Sequence, residues 1–132
     1  MGKPVLNIAH RGASGYVREN TAEAIEKAIE LGADMVEFDL RRTSDGIIVL
    51  WHDRSIPDSR GVRIPLSSIS YEDLCQYANG FGFMPARFDR ILMDFGSRIA
   101  FDIEIKVGGF EREIMDLLKK YPLPSYGVFI IT

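Results

Sequence analysis

Two stretches of the chain alternate polar and apolar residues with a period of two. Over residues 35–40, Glu37 and Asp39 alternate with Val36, Phe38 and Leu40; over residues 99–105, Asp102 and Glu104 alternate with Phe101, Ile103 and Ile105. Both read as strands with acidic side chains on one face and apolar ones on the other. Residues 5–10 read as a shorter buried strand that runs into a charged tip, and residues 11–16 as a loop by their glycines. Between the first two strands, Ala24, Ile25, Ala28, Ile29 and Leu31 recur at helical spacing. Asn20 serves as the expected N-cap, with Glu23 three residues on as in a capping box, and Gly32 as the stop. Strand, helix and strand in this order form a βαβ unit, so the two strands are expected to be parallel.

The dipeptide Asp45-Gly46 predicts a two-residue turn and a return strand over residues 47–51. With that turn Ser44 faces Ile47 and His52 lands opposite Asp39; a one-residue slip brings it nearer Glu37. Residues 53–70 carry Pro57, Gly61 and Pro65 and read as an irregular excursion. Ser70, with Asp73, caps a short helix over residues 71–77, which Asn79-Gly80-Phe81-Gly82 breaks. Phe88, Ile91, Leu92 and Phe95 give another short helix, ended by Gly96. Gly108-Gly109 precede a helix over residues 110–120, and a last strand starts at Val128. The order predicts the α/β class with a mostly parallel sheet. Residues 1–132 read as one domain, with 53–90 an insertion within it.

Composition narrows the function. The chain has 132 residues, 46% hydrophobic and 27% charged, which fits one globular domain. A net charge of −3 removes the basic footprint of a nucleic-acid binder. No apolar run has the length of a transmembrane segment. Cys75 is the only cysteine, so no intramolecular disulfide forms, and it reads as a small half-buried hydrophobe. A first strand starting near residue 5 leaves no room for a signal peptide, so the cytoplasm is the expected compartment.

The two acidic faces carry the chemistry. Both faces of an α/β sheet are normally covered, so carboxylates there need a reason. Solvated edge charge is one reading, and ion pairs with Arg41, Arg42 or Lys106 are another. Two carboxylates about 5 Å apart repel by roughly 3 kcal/mol at an effective dielectric near 20. A divalent ion with oxygen ligands, Mg²⁺ or Ca²⁺, relieves that repulsion. His10 and His52, the only histidines, both follow strands whose ends carry the acidic groups. Arg11 and Lys106 are candidate phosphate clamps, and Gly12 permits close backbone approach. Two imidazoles, a cation site and an arginine beside a glycine suit acid–base work on a phosphate ester.

These residues resemble the signature of the glycerophosphodiester phosphodiesterases. The resemblance rests on His10-Arg11-Gly12, Glu19-Asn20-Thr21, Gly32-Ala33-Asp34-x-Val36-Glu37-x-Asp39, Thr43-x-Asp45-Gly46, His52-Asp53 and Ile103-Glu104-Ile105-Lys106. It implies a TIM-type (β/α) barrel that hydrolyses glycerophosphodiesters to glycerol 3-phosphate and an alcohol. It also implies that Glu37, Asp39 and Glu104 hold the cation, that His10 and His52 exchange protons, and that Arg11 and Lys106 bind the phosphate. Glu19 and Asn20 are then expected to order the His10 loop and to cap the first helix. The chain departs from the family pattern at Val17-Arg18, at Asp58-Ser59-Arg60 and at Pro85-Ala86-Arg87-Phe88, which bears on substrate preference more than on chemistry.

A TIM-type barrel takes about 250 residues, so the chain is expected to hold only about the first half of one. Exposed strand edges then favour self-association, a complementary half-barrel, or a chain that is a fragment of a longer product. Two other functions fit the same residues: an idle half-barrel that binds only metal or a partner half, and lysophospholipase D-like action on lysolipid head groups.

Overall fold

The computed structural model describes residues 8–10, 19–105, 109–121 and 128–131. Strand β1 (Ile8–His10), helix α1 (Ala22–Glu30) and strand β2 (Met35–Arg42) form the expected βαβ unit, with β1 and β2 parallel. Helix α1 ends as the sequence predicts. Gly32 has φ +81°, its N–H donates to the Ile29 carbonyl, and the Ala33 N–H donates to the Ala28 carbonyl, which is a Schellman stop. Its start differs from expectation. Thr21, not Asn20, is the N-cap, its hydroxyl accepting the Ala24 N–H at 3.2 Å.

β2 is the organising strand. Along one edge it pairs with β6 (Ala100–Ile105), parallel, from Met35 opposite Ala100 to Leu40 opposite Ile105. Its other edge is shared. β1 takes residues 35–37, and the antiparallel β3 (Ile48–Leu50) takes residues 40–42. β6 in turn pairs with β7 (Val128–Ile131), again parallel, giving the order β1-β2-β6-β7. Parallel strands in this order, with α3 (Phe88–Phe95) between β2 and β6 and α4 (Glu111–Lys120) between β6 and β7, make up part of a TIM-type (β/α) barrel.

The hairpin corrects the predicted register. Arg42 faces Ile48, so Thr43 faces Ile47 and the loop has three residues, Ser44, Asp45 and Gly46. Gly46 sits at φ +85°, the left-handed position that such loops require. Trp51, and not His52, therefore stands opposite Asp39, its N–H donating to the Asp39 carbonyl at 3.0 Å.

The excursion is more ordered than its prolines and glycine predict. Strands β4 (Ser55–Pro57) and β5 (Arg63–Pro65) form a small antiparallel hairpin. Its turn repeats the first one: the Gly61 N–H donates to the Asp58 carbonyl, and Gly61 has φ +83°. The Asp58 carboxylate accepts from the Arg60 and Val62 N–H groups, which accounts for an aspartate at that departure from the family pattern. A 3-10 turn (Leu66–Ser68) and α2 (Tyr71–Asn79) follow, α2 capped by Ser70 as expected. Asp45 ties this segment to the sheet, accepting from the Thr43 hydroxyl and from the Tyr71 N–H. The Thr43 bond, first, and the Tyr71 bond hold the Asp45 carboxyl below the ordinary range.

Two apolar clusters result. Val36, Phe38 and Leu40 of β2 and Phe101, Ile103 and Ile105 of β6 pack against Phe88, Ile91, Leu92 and Phe95 of α3. A smaller cluster gathers Val49, Ile56, Leu66, Ile69, Leu74 and Ala78 under the excursion. The first covers the helical side of the sheet, so the opposite side chains of β2 and β6 face the barrel interior. Among the described residues, no helix is long and apolar enough to cross a membrane.

Candidate active site

The interior faces of β2 and β6 bring three predicted carboxylates together. Asp39 pairs with Glu104 across the strands, and Glu37 lies one pleat below Asp39 on the same face. Glu37, Asp39 and Glu104 each offer an oxygen, and these oxygens all lie within 4.8 Å of one another. Glu37 is 8% exposed and Asp39 fully buried, which removes solvated edge charge as an explanation. The strand-end arginines make their bonds elsewhere, although Arg41 feels the Asp39 charge. Arg41 donates to the His52 carbonyl, and Arg42 pairs with Glu113 at 3.1 Å. Three carboxylate oxygens at this spacing fit a hard divalent cation such as Mg²⁺ or Ca²⁺.

Asp102, on the same face of β6, lies outside this group. Burial, with the Glu104 charge second, raises its carboxyl above the ordinary range.

Asn20 holds one member of the set. It adopts φ +55°, a left-handed conformation asparagine tolerates better than most residues. There its amide nitrogen donates to the Asp39 carboxylate, and its amide oxygen accepts the Asp39 N–H, both at 3.2 Å. Both ends of the amide are thus spent on fixing one carboxylate rather than on capping α1. Partners of this kind usually carry a 10–100-fold effect on metal affinity, so Asn20→Ala is expected to weaken divalent-cation binding about that much. Calorimetric titration of the two proteins, with circular dichroism to confirm the fold, checks this.

The shared edge of β2 explains the histidines. β1 rises along it and ends with His10 opposite Glu37; β3 descends along it, so that Trp51 meets Asp39. These two points are two residues apart on β2, about 7 Å. The backbones bearing His10 and His52 therefore converge beside the carboxylates. The His10 side chain, Arg11 and Lys106 lie outside the described residues. The His52 ring places Nδ1 2.9 Å from the Asp53 carboxylate. A carboxylate only accepts, so this bond puts the proton on Nδ1 and leaves Nε2 for exchange. The same bond, first among its causes, holds the Asp53 carboxyl below the ordinary range. Asp53 in turn lies 3.5 Å from the Arg63 guanidinium.

Glu19, Asn20, Trp51, His52, Asp53 and Phe83 line a cavity of about 100 Å³ at this edge. Trp51 stacks on Phe83, ring centroids 5.6 Å apart, so the far end of the excursion walls the cavity. Arg41 has a part that sequence reasoning missed. Its Nε and Nη2 both donate to the His52 carbonyl, at 2.9 and 2.7 Å, and pin that peptide. Alternation from Glu37 and Asp39 already puts Arg41 on the interior face, but its partner depends on the hairpin register.

Residues 10–119 match the glycerophosphoryl diester phosphodiesterase family. A putative glycerophosphodiester phosphodiesterase of Bacillus subtilis is 32% identical over 125 residues, covering 86% of this chain and 51% of that protein. A lysophospholipase D of Homo sapiens is 31% identical over 128 residues, covering 86% of this chain and 40% of that protein. The crystal structure of a glycerophosphodiester phosphodiesterase from Agrobacterium tumefaciens superposes with a TM-score of 0.82 at 24% identity, over 96% of this chain and 58% of that one. The chain thus spans about half the length of the curated relatives it matches.

Proposed function

Because the chain belongs to the glycerophosphoryl diester phosphodiesterase family, we propose that it supplies the catalytic residues for hydrolysing a glycerophosphodiester to glycerol 3-phosphate and an alcohol. The observation that carries this reading is the set of Glu37 and Asp39, both buried, with half-buried Glu104, gathered beside the strand ends that bear His10 and His52. A divalent cation, Mg²⁺ or Ca²⁺, held by these carboxylates would supply positive charge to stabilise an oxyanion. His10 takes the proton of the attacking hydroxyl, the substrate's own 2-hydroxyl, whose oxygen bonds to phosphorus as the bond from phosphorus to the alcohol oxygen breaks; water then opens the resulting cyclic phosphate to glycerol 3-phosphate. His52 gives a proton from Nε2 to the leaving alcohol, while Asp53 holds its Nδ1 proton and Arg41 its carbonyl. Arg11 and Lys106 bind the phosphate oxygens, Arg as a fork and Lys as a point charge. Glu19 and Asn20 order the loop after β1.

Residues 1–132 act as a single partial domain, with 53–90 as its own insertion. Among the described residues β1 and β7 each pair on one side only, and the proposed partner is a second half-barrel in another copy or another chain. The cytoplasm is the proposed compartment.

Release of glycerol 3-phosphate from glycerophosphocholine, with Mg²⁺ or Ca²⁺ and then with chelator, tests this reading. Release that chelator abolishes is expected. Cation binding without release contradicts it and favours the idle module. The similarity to a lysophospholipase D favours one further substrate class. Faster turnover of lysophosphatidylcholine than of glycerophosphocholine would assign the chain to it.

A further inference from the structure

Beyond the carboxylates, the same end of the sheet carries a concentration of arginine. Arg41, Arg42 and Arg54 line a cavity of about 180 Å³, completed by Leu66, Ser67 and Phe110. Four separate segments build it: the end of β2, Arg54 just before β4, the 3-10 turn of the excursion with Pro65 before it, and Phe110 at the start of α4. Arg41 is two residues past Asp39 on the same face of β2, about 7 Å along the strand. The cavity is therefore a neighbour of the proposed cation site, on the side where both faces of β2 end.

The charge of this cavity is not balanced within it. Glu113 offsets Arg42 at 3.1 Å, and Arg42 also lies 5.5 Å from the Phe110 ring. Arg41 spends Nε and Nη2 on the His52 carbonyl, an uncharged partner. No described carboxylate lies within ion-pair distance of Arg54. Asp53, the acid next to it, is taken by His52 and Arg63. Asp39 and Asp53 offset the Arg41 charge in part; the Arg41 and Arg54 guanidinium groups still repel each other across one small concavity, and an anion there relieves that repulsion. Guanidinium groups suit carboxylate and phosphate oxygens better than any other ligand.

We propose that the Arg41, Arg42 and Arg54 cavity is an anion subsite, which receives a carboxylate or phosphate carried by the alcohol half of the diester. This rests on the function proposed above. In that reaction the glycerol half bears only hydroxyls besides the reacting phosphate, so a second anion must come from the leaving alcohol. The substrates favoured are then glycerophosphodiesters with an acidic head group rather than a purely cationic one.

The test compares head groups that differ by one anionic group. Glycerophosphoserine differs from glycerophosphoethanolamine by a carboxylate, and glycerophosphoinositol 4-phosphate differs from glycerophosphoinositol by a phosphate. Each is titrated calorimetrically, with Mg²⁺ present, into the His52→Ala variant, so that binding is read without turnover. About tenfold tighter binding of the acidic member of a pair is expected. Adding Arg54→Gln should abolish that preference and Arg54→Lys should retain most of it; Arg54 is exposed, so neither change threatens the fold. Preference in the first pair alone assigns a carboxylate, and in the second alone a phosphate. Equal binding within both pairs, or a preference that Arg54→Gln leaves intact, overturns the proposal. Failure of the hydrolytic reading appears separately, as no chelator-sensitive release of glycerol 3-phosphate by the unmodified chain.

Discussion

Replacing His52 by alanine is expected to slow release of glycerol 3-phosphate by about 10²–10⁴-fold, the usual worth of a positioned general acid. That corresponds to roughly 3–5 kcal/mol of barrier. Three features place the His52 ring. Asp53 holds Nδ1 at 2.9 Å, Arg41 forks the backbone carbonyl, and the β3 register brings the residue next to the end of β1. Alanine keeps the carbonyl, so the Arg41 bonds and the peptide position survive and only the ring is removed. The loss should therefore fall on kcat and leave KM within a few-fold. Initial rates over a range of glycerophosphocholine concentrations decide it. Full activity in the variant would remove His52 from the proton transfer.

The second large effect concerns stability. Phe38→Ala is expected to cost about 3–5 kcal/mol. Phe38 is fully buried at the centre of β2, where its ring meets Phe101 at 5.2 Å and 73° and Phe88 at 6.0 Å and 55°. It joins the two central parallel strands to α3, so no single neighbour can relax into the space. Domains of this kind are stable by about 5–15 kcal/mol in total. The loss should shift the urea midpoint strongly with little change in slope. It should also loosen the active site, because Glu37 and Asp39 flank Phe38 on the opposite face of the same strand. A shift worth less than about 1 kcal/mol would mean that the β2–β6–α3 layer is not the core.

Much of this was legible in the residues. The alternation around Glu37 and Glu104 gives both interior faces, and Gly32 gives the end of α1. Where local signals competed, the reading failed. Asp45-Gly46 suits a two-residue turn as well as a three-residue one, and only the hydrogen bonds between Thr43 and Ile47 distinguish them. That one residue decides that Trp51, not His52, stands opposite Asp39. Asn20 and Thr21 are both good caps, and the outcome turns on Asp39, nineteen residues away, which claims the asparagine amide. The excursion hid its hairpin because Pro57 and Pro65 each end one of its two strands, and both strands of a two-stranded hairpin are edges, where proline is tolerated. The partners of Arg41 and Arg54 could not be read from sequence, since their surroundings come from segments joined only by the fold.

The central claim is that Glu37, Asp39 and Glu104 form one divalent-cation site. Its most direct test is calorimetric titration of Ca²⁺ and Mg²⁺ into this chain and into its Glu104→Gln variant. The account predicts one cation per chain, with affinity falling at least about tenfold in the variant. Glutamine keeps the shape of a half-buried side chain, so the fold should persist. Identical stoichiometry and affinity in the two proteins would contradict the account.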